Sequence, residues 1–253
     1  MDPNEFEGRM RSLEYFHSLR LLPHTWAVIR VDGRGFTRFT ESRFDRPFDA
    51  RFHDCMARAA QVLLEEMGGL YAYTESDEIS VLFAPEWEFF DRELEKIVSL
   101  SAGIASATFT HACGEPAHFD SRVWLGANEV LVVDYFRWRQ TDAGRCALNG
   151  WCYWTLRKAG MSVGEATAAL ERQAVSAKHE LLFQHGVNFA ELPLWQRRGA
   201  GVYWETYEKE GYNPKEDRRV VTTRRRVKVD RELPMKEAYD ALIRRLMEQR
   251  WNR

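Results

Sequence analysis

Between His24 and Ala127 the hydrophobic period switches in an order that few folds accept. "HTWAVIRV" (His24 to Val31) alternates as a strand and stops at "DGRG". From Pro47, the apolar residues Phe48, Phe52, Met56, Ala59, Leu63 and Met67 recur at helical spacing and end at Gly68-Gly69, a helix stop signal. "YAYTESDEISVLF" (Tyr71 to Phe83) reads as two short strands around a polar turn. A second helical pattern places Phe90, Leu94, Ile97, Ser101, Ile104 and Thr108 on one face, and "SRVWLGA" (Ser121 to Ala127) is a further strand. Strand–helix–strand–strand–helix–strand is the split βαβ or ferredoxin-like arrangement. The expected fold class is therefore α+β: a βαββαβ antiparallel sheet of strand order 4-1-3-2 with helices on one face.

In that topology the end of strand 1 lies beside the start of strand 3. Asp32 occupies the first place, Asp77 and Glu78 the second, so these carboxylates are expected to converge. Mg²⁺ takes hard oxygen donors, usually one or two protein carboxylates completed by phosphate and water. Two such ions stabilise the attacking and leaving oxygens of nucleotidyl transfer. Beside Asp32, "GRGF" supplies glycines that let backbone approach a triphosphate. The competing reading is a pair of solvated turns, since Asp and Gly are ordinary turn residues.

Past Asn128 the chain becomes mostly helical, with one segment to Leu148, another from Trp151 to Lys158, and a capping box "SVGE" (Ser162 to Glu165) opening a third. Two strand patterns follow, "GVYWETYEK" and "RRVVTTRRRVKV", and then a helix carrying Met235, Tyr239, Leu242 and Leu246. The expected division is residues 1–130 and 131–253, packed as one body because no flexible linker separates them. Between Arg218 and Arg231 there are seven Arg or Lys and one acid, a pattern with one apolar and one basic face. That face suits RNA phosphates, or protects a sheet edge by charge. Arg137 and Arg139 of "FRWRQ" read as further phosphate contacts or a solvated helix face, and Trp138 as core or interface. Trp151, Tyr153 and Trp154 are interface candidates.

No apolar run approaches the ~20 residues that span a bilayer. "MDPNEFEGRMRSLEYFHS" lacks the regions of a signal peptide, so a cytoplasmic location is expected. The four cysteines show no CxxC spacing, and "HACGEPAH" lacks a second ligand pair for zinc. A net charge of −2 gives no global pull toward nucleic acid, which leaves that work to local patches.

"RVDGRGFTRF", "YTESDEISVLF", "FDSRV", "YFRWRQTD" and "SAKHELLF…GVNFAELP" together resemble the tRNA(His) guanylyltransferase family, most of all its bacterial and archaeal branch. The resemblance runs from about residue 25 to residue 230. It implies a polymerase palm fold and an enzyme that adds nucleotides to the 5′ end of tRNA. AMP is first transferred from ATP to the 5′ phosphate; the 3′-hydroxyl of GTP or another NTP then attacks and expels AMP. It implies two Mg²⁺ ions on Asp32, the Gly33 carbonyl and Asp77, with Glu78 as the neighbouring acid. Arg34, Gly35, Phe36, Thr37 and Ser76 match positions holding the incoming nucleotide, and Phe44, Arg46 and Asp49 match a loop near its base. Arg30, Lys178 and Asn188 match positions tied to activation or tRNA contact, and Arg224, Arg225, Arg226 and Lys228 supply the RNA face. A homotetramer is implied too. Where the eukaryotic members carry a histidine-led block, this chain has "AGRCALNG", with Gly144 at the histidine position. That departure favours templated 5′ repair over strict tRNA(His) specificity. The alternatives are a GGDEF-like nucleotidyl cyclase, which would need Gly-Gly where Glu75-Ser76 stands, and a non-catalytic RNA-binding module.

Overall fold

A computed structural model describes residues 2–213 and 217–249. Six strands form one antiparallel sheet in the order β4-β1-β3-β2-β5-β6, from β1 (Trp26–Gly33), β2 (Tyr71–Glu75), β3 (Glu78–Phe83), β4 (Phe119–Gly126), β5 (Ala200–Asn213) and β6 (Arg218–Asp230). The first four strands stand in the 4-1-3-2 order that the periodicity predicts. The β5–β6 hairpin continues the same sheet through β2, with Ala72 opposite Val202. The C-terminal hairpin is thus an extension of the palm sheet.

The two palm helices lie on one face of the sheet, as the βαββαβ pattern predicts, and helices of the C-terminal extension cover the other. Alternate strand residues explain this. Ala27, Ile29, Val31, Ile79 and Val81 face α3 (Ala50–Glu66) and α4 (Leu94–Cys113). Trp26, Val28, Tyr71, Tyr73 and Leu82 face α5 (Glu129–Lys158) and α9 (Glu237–Glu248). Every residue of β3 is buried, as expected for a strand covered on both sides. In α9 the apolar positions Tyr239, Leu242, Ile243, Leu246 and Met247 are all buried. At about 1.5–3 kcal/mol for each large apolar side chain, α9 is part of the core. Buried hydroxyls are paired: Tyr71 meets Tyr239 at 3.0 Å and Ser80 meets Tyr135 at 3.0 Å.

Several boundaries differ from the periodicity. α3 starts at Ala50, because Asp49 caps it by accepting from the Arg51 N–H, and Phe48 stays in the loop. Phe90 lies in an exposed 3-10 turn, and α4 buries Ile97, Ser101, Ala105 and Phe109. The two helical segments after Asn128 are one 30-residue helix, about 45 Å long. Asn149 and Gly150 continue it: the Asn149 amide oxygen accepts from Lys178 Nζ at 2.6 Å, and Gly150 lies against Pro47. α1 (Pro3–Arg11), α2 (Phe36–Glu41), α6 (Val163–Leu170), α7 (Val175–Gln184) and α8 (Leu194–Arg198) complete the helices described. The capping box at α6 is present, with the Glu165 N–H on Ser162 Oγ at 3.2 Å and the Ser162 N–H on Glu165 Oε2 at 2.8 Å. Among the described residues no helix is long and apolar enough to cross a membrane.

Candidate active site

The loop after β1 is tied to both neighbouring strands. Asp32 pairs across the sheet with Glu78 on one side and Asp120 on the other. The Gly33 N–H donates to the Asp77 carbonyl at 3.0 Å and the Arg34 N–H to the His118 carbonyl at 2.8 Å. Gly33 is required by close approach, because a Cβ there would stand 2.4 Å from the Phe36 ring. Phe36 is buried among Phe39, Phe52, Phe109 and Phe119, so its side chain is core and only its backbone is left for a ligand. Arg34, Gly35 and Thr37 are exposed beside it, Gly35 as the N-cap of α2.

The acidic stretch divides by role. Ser76 and Asp77 form the tip of the β2–β3 hairpin, and the Asp77 carboxylate accepts from Ser76 Oγ at 3.1 Å. Burial raises the Asp77 pKa, and the negative charge of Asp32 raises it further. A buried carboxylate whose pKa is raised by a second carboxylate favours a cation beside it. Glu75 and Glu78 instead belong to Arg139 of α5. Its guanidinium binds Glu78 through Nε at 2.7 Å and Nη2 at 2.8 Å, and reaches Glu75 at 3.1 Å and Asp142 at 3.3 Å. Arg30 adds a contact to Glu78 at 3.4 Å and one to Asp32 at 3.9 Å. Burial first, then Glu78, pushes Glu75 up to about 8 in spite of Arg139. The Arg139 side chain is only 6% exposed, so its reading as a phosphate contact or a solvated face is overturned. Arg137 is likewise engaged, by Asp240 of α9. Trp138, expected in the core or at an interface, is 54% exposed in the single chain and so is not core.

Asp77 opens onto a pocket of about 130 Å³ walled by Ser76, Thr37 and the loop 44–49. Phe44 and Phe48 line it, as do His53 of α3 and Trp195 of α8, whose rings stack at 4.4 Å. Arg46 is half-buried at the pocket wall: Nη2 donates to the Thr37 carbonyl at 3.0 Å and to Thr40 Oγ1 at 2.6 Å. Asp49 caps α3 and is held down to about 2 mainly by its hydrogen bonds to Arg51. Sequence reading missed His53, Phe48 and Trp195 as pocket walls. A lone Trp in "LPLWQRRG" carries no periodic signal, and only tertiary packing brings it opposite His53.

The family model for tRNAHis guanylyltransferase matches residues 7–127, and that for the Thg1 C terminal domain matches residues 130–243. The chain belongs to the tRNA(His) guanylyltransferase family. It is thereby a member of a nucleotidyltransferase family. It is 31% identical to the tRNA(His) guanylyltransferase of Schizosaccharomyces pombe over 80% of this chain and 84% of that one. It is 31% identical to a probable tRNA(His) guanylyltransferase of Mus musculus, over 74% of this chain and 67% of the other. It spans only 36% of an Arabidopsis thaliana tRNA(His) guanylyltransferase, at 33% identity over 73% of this chain. A bacterial Thg1-like protein solved in complex with ATP superposes with a TM-score of 0.75 at 25% identity, covering 96% of this chain and 99% of that one. Another, in complex with GTP, gives 0.74 at 26% identity over 97% and 98%.

The family's remaining candidate positions lie apart from the carboxylates. Lys178 is engaged by Asn149, and Asn188 caps the turn at Phe189 and donates to Glu191 at 2.8 Å. Neither has a hydrogen bond or ion pair to the Asp32 or Asp77 loops among the described residues. The basic run on β6 is at the sheet edge and divides by face, because a strand alternates. Arg225 shares the face of Val227 and Val229 and stands over Trp204 at 4.8 Å. Arg224, Arg226 and Lys228 share the other face; Arg226 pairs with Glu205 and Lys228 lies over Tyr203. The single basic face expected from sequence is therefore two faces, with consecutive arginines on opposite sides.

Among the described residues no three His, Cys, Asp or Glu side chains form a metal cluster. Asp32, Asp77 and the Gly33 carbonyl are nonetheless a hard-oxygen set of the size Mg²⁺ uses when phosphate and water complete its shell. Glu78 is outside that set because its oxygens are on Arg139.

Proposed function

We propose that this chain extends the 5′ end of tRNA in the 3′–5′ direction, using ATP to activate the 5′ phosphate and an NTP as the nucleotide added. The observation that carries the reading is Asp77, lining an aromatic-walled pocket, with the charge of Asp32 acting on it and the Gly33 N–H on its carbonyl. The names of the two bacterial relatives, in complex with ATP and with GTP, support it.

In the first step a 5′-phosphate oxygen attacks the α-phosphorus of ATP and pyrophosphate leaves. In the second, the 3′-hydroxyl of the incoming NTP attacks the activated phosphate and AMP leaves. Asp32, Asp77 and the Gly33 carbonyl are the donors that would hold Mg²⁺, which lowers the pKa of an attacking hydroxyl and offsets triphosphate charge. The protein's own part is positioning. Phe44, Phe48 and Trp195 bracket a base, while Arg34, Thr37 and Ser76 are placed to meet phosphates. Arg30 and Arg139 bind Glu78, and Arg139 also binds Glu75 at the pocket wall, which offsets negative charge beside the nucleotide. Arg224, Arg226 and Lys228 form the strip that would follow RNA phosphates. Gly144 lies against the Arg197 carbonyl, with no imidazole to read one tRNA. We therefore favour templated repair of incomplete 5′ ends by a cytoplasmic homotetramer.

The test uses labelled tRNA lacking its first nucleotide, with ATP, Mg²⁺ and each NTP separately. Extension only by the nucleotide complementary to the facing base supports templated repair. Extension by G alone, on tRNA(His) alone, would replace it with dedicated guanylylation, and no extension on any tRNA would refute the reading.

A further inference from the structure

Two more cavities continue the nucleotide pocket, separated only by the Arg46-Pro47-Phe48 wall. The middle one shares Arg46, Phe48, Glu75, Ser76 and Trp195 with it and adds Trp154 and Gln196. The outer one, about 350 Å³, shares Pro47 and Trp154 with the middle one and ends at His185 and Val187. One face of α5 floors it: Trp151, Trp154, Thr155 and Lys158 are spaced i, i+3, i+4 and i+7. The Arg46 guanidinium stands 5.2 Å from the Trp154 ring and lines the middle cavity but not the outer one. Phe48 stacks on Trp151 from the loop.

This trench is polar where nothing in the fold satisfies it. Arg46 Nε, His53 Nε2, Trp151 Nε1 and Gln196 Oε1 are all buried with no hydrogen-bond partner among the described residues, and all four residues line it. Of the four, Trp151 Nε1 belongs to the outer cavity, and an occupant that turns the indole outward would accept from it. Indole faces with arginine and lysine beside them are how proteins hold unpaired nucleotides.

We propose that the outer cavity binds the unpaired 3′-terminal nucleotides of the tRNA substrate, with a base stacked on Trp154. The inference rests on the reading that tRNA is the substrate. It deepens that reading: the 5′ end to be extended is paired to the strand that carries the 3′ extension. With the 5′ end at Asp77, a strand leaving over Pro47 enters the outer cavity. Lys158, whose Nζ lies 2.7 Å from the Arg46 carbonyl, places a cation at the rim for its phosphates.

The test measures equilibrium binding of tRNA with its 3′ extension and of the same tRNA trimmed flush with its acceptor duplex. Wild-type protein, W154A and W154F are compared, with 5′ addition recorded in parallel. Trimming is expected to weaken wild-type binding by roughly 5- to 150-fold, the effect of one lost base stack. W154A should bind intact tRNA as weakly as wild type binds trimmed tRNA and should no longer sense trimming, whereas W154F should retain most of the difference. A W154A protein that still senses trimming in full overturns the proposal. So does a rise in KM for the NTP with tRNA binding unchanged, which would assign the cavity to a free nucleotide. Should W154A fail to fold, a 4-thiouridine in the 3′ extension decides with wild-type protein: crosslinking to residues 151–158 supports the proposal and crosslinking elsewhere overturns it. Intact addition with trimming-insensitive binding sinks this inference alone; absence of addition on every tRNA sinks the function and leaves the binding arms readable.

Discussion

Arg139 decides which of the acids are free to act. It is buried from α5 against Glu78 and Glu75, and truncating it leaves Glu75 without its cation and Glu78 with Arg30 alone. R139M should lower stability by about 3–5 kcal/mol, read from denaturant unfolding, because breaking a buried pair exposes the full desolvation cost of its partners. A loss below about 1 kcal/mol would mean that the pair is solvated. His53 gives a pH signature. Burial first, then Arg231, holds it down to about 4 from 6.5, so the unfolded chain takes up a proton that the native chain refuses. Its contribution to stability is complete above pH 6.5 and is lost as pH falls from 6.5 to 4. At pH 5 the loss is about 2 kcal/mol relative to pH 7.5, and H53N should remove that part of the acid sensitivity. The convergence of Asp32 and Asp77 was legible because it follows from strand order alone. The partners of Glu75 and Glu78 were not: "FRWRQ" reads the same whether its arginines face solvent or core, and only the docking of α5 decides.

At the scale of elements, α8 shapes the pocket through a single Trp, and Gly199 sets where α8 hands over to β5. Its φ of 69° and ψ of −171° belong to a region open essentially to glycine, and a Cβ would stand 2.5 Å from Tyr73 Oη and 2.7 Å from the Thr74 carbonyl. G199A should cost at least about 1–3 kcal/mol and loosen the Trp195 wall, seen as a weaker NTP affinity together with a lower Tm. Unchanged affinity with a lower Tm would separate Trp195 from the nucleotide pocket. Strands β1 to β4 and helices α3 and α4 were legible because their periodicity is local. The unbroken course of α5 was not, because Asn149-Gly150 reads as a stop until Lys178 and Pro47 are seen to hold it.

For the whole molecule, the sheet crosses the join between the two family halves, since β2 pairs with β5 and α5 and α9 cover the second face. We expect calorimetry to give one unfolding transition. Residues 1–127 expressed alone should aggregate, because Trp26, Val28, Tyr71 and Leu82 lose their cover. Two separate transitions would show independent halves. That pairing was illegible in sequence, because strand neighbours far apart in the chain leave no periodic trace. We propose that Asp32 and Asp77 serve chemistry while Glu78 serves the fold. The most direct measurement is single-turnover addition to tRNA lacking its first nucleotide, by D77N and E78Q side by side, with Tm for each. D77N should keep its Tm and lose addition by about a thousandfold or more, and E78Q should lose Tm while retaining most of its addition rate per folded molecule. Full addition by D77N, or loss of addition by E78Q at an unchanged Tm, would contradict it.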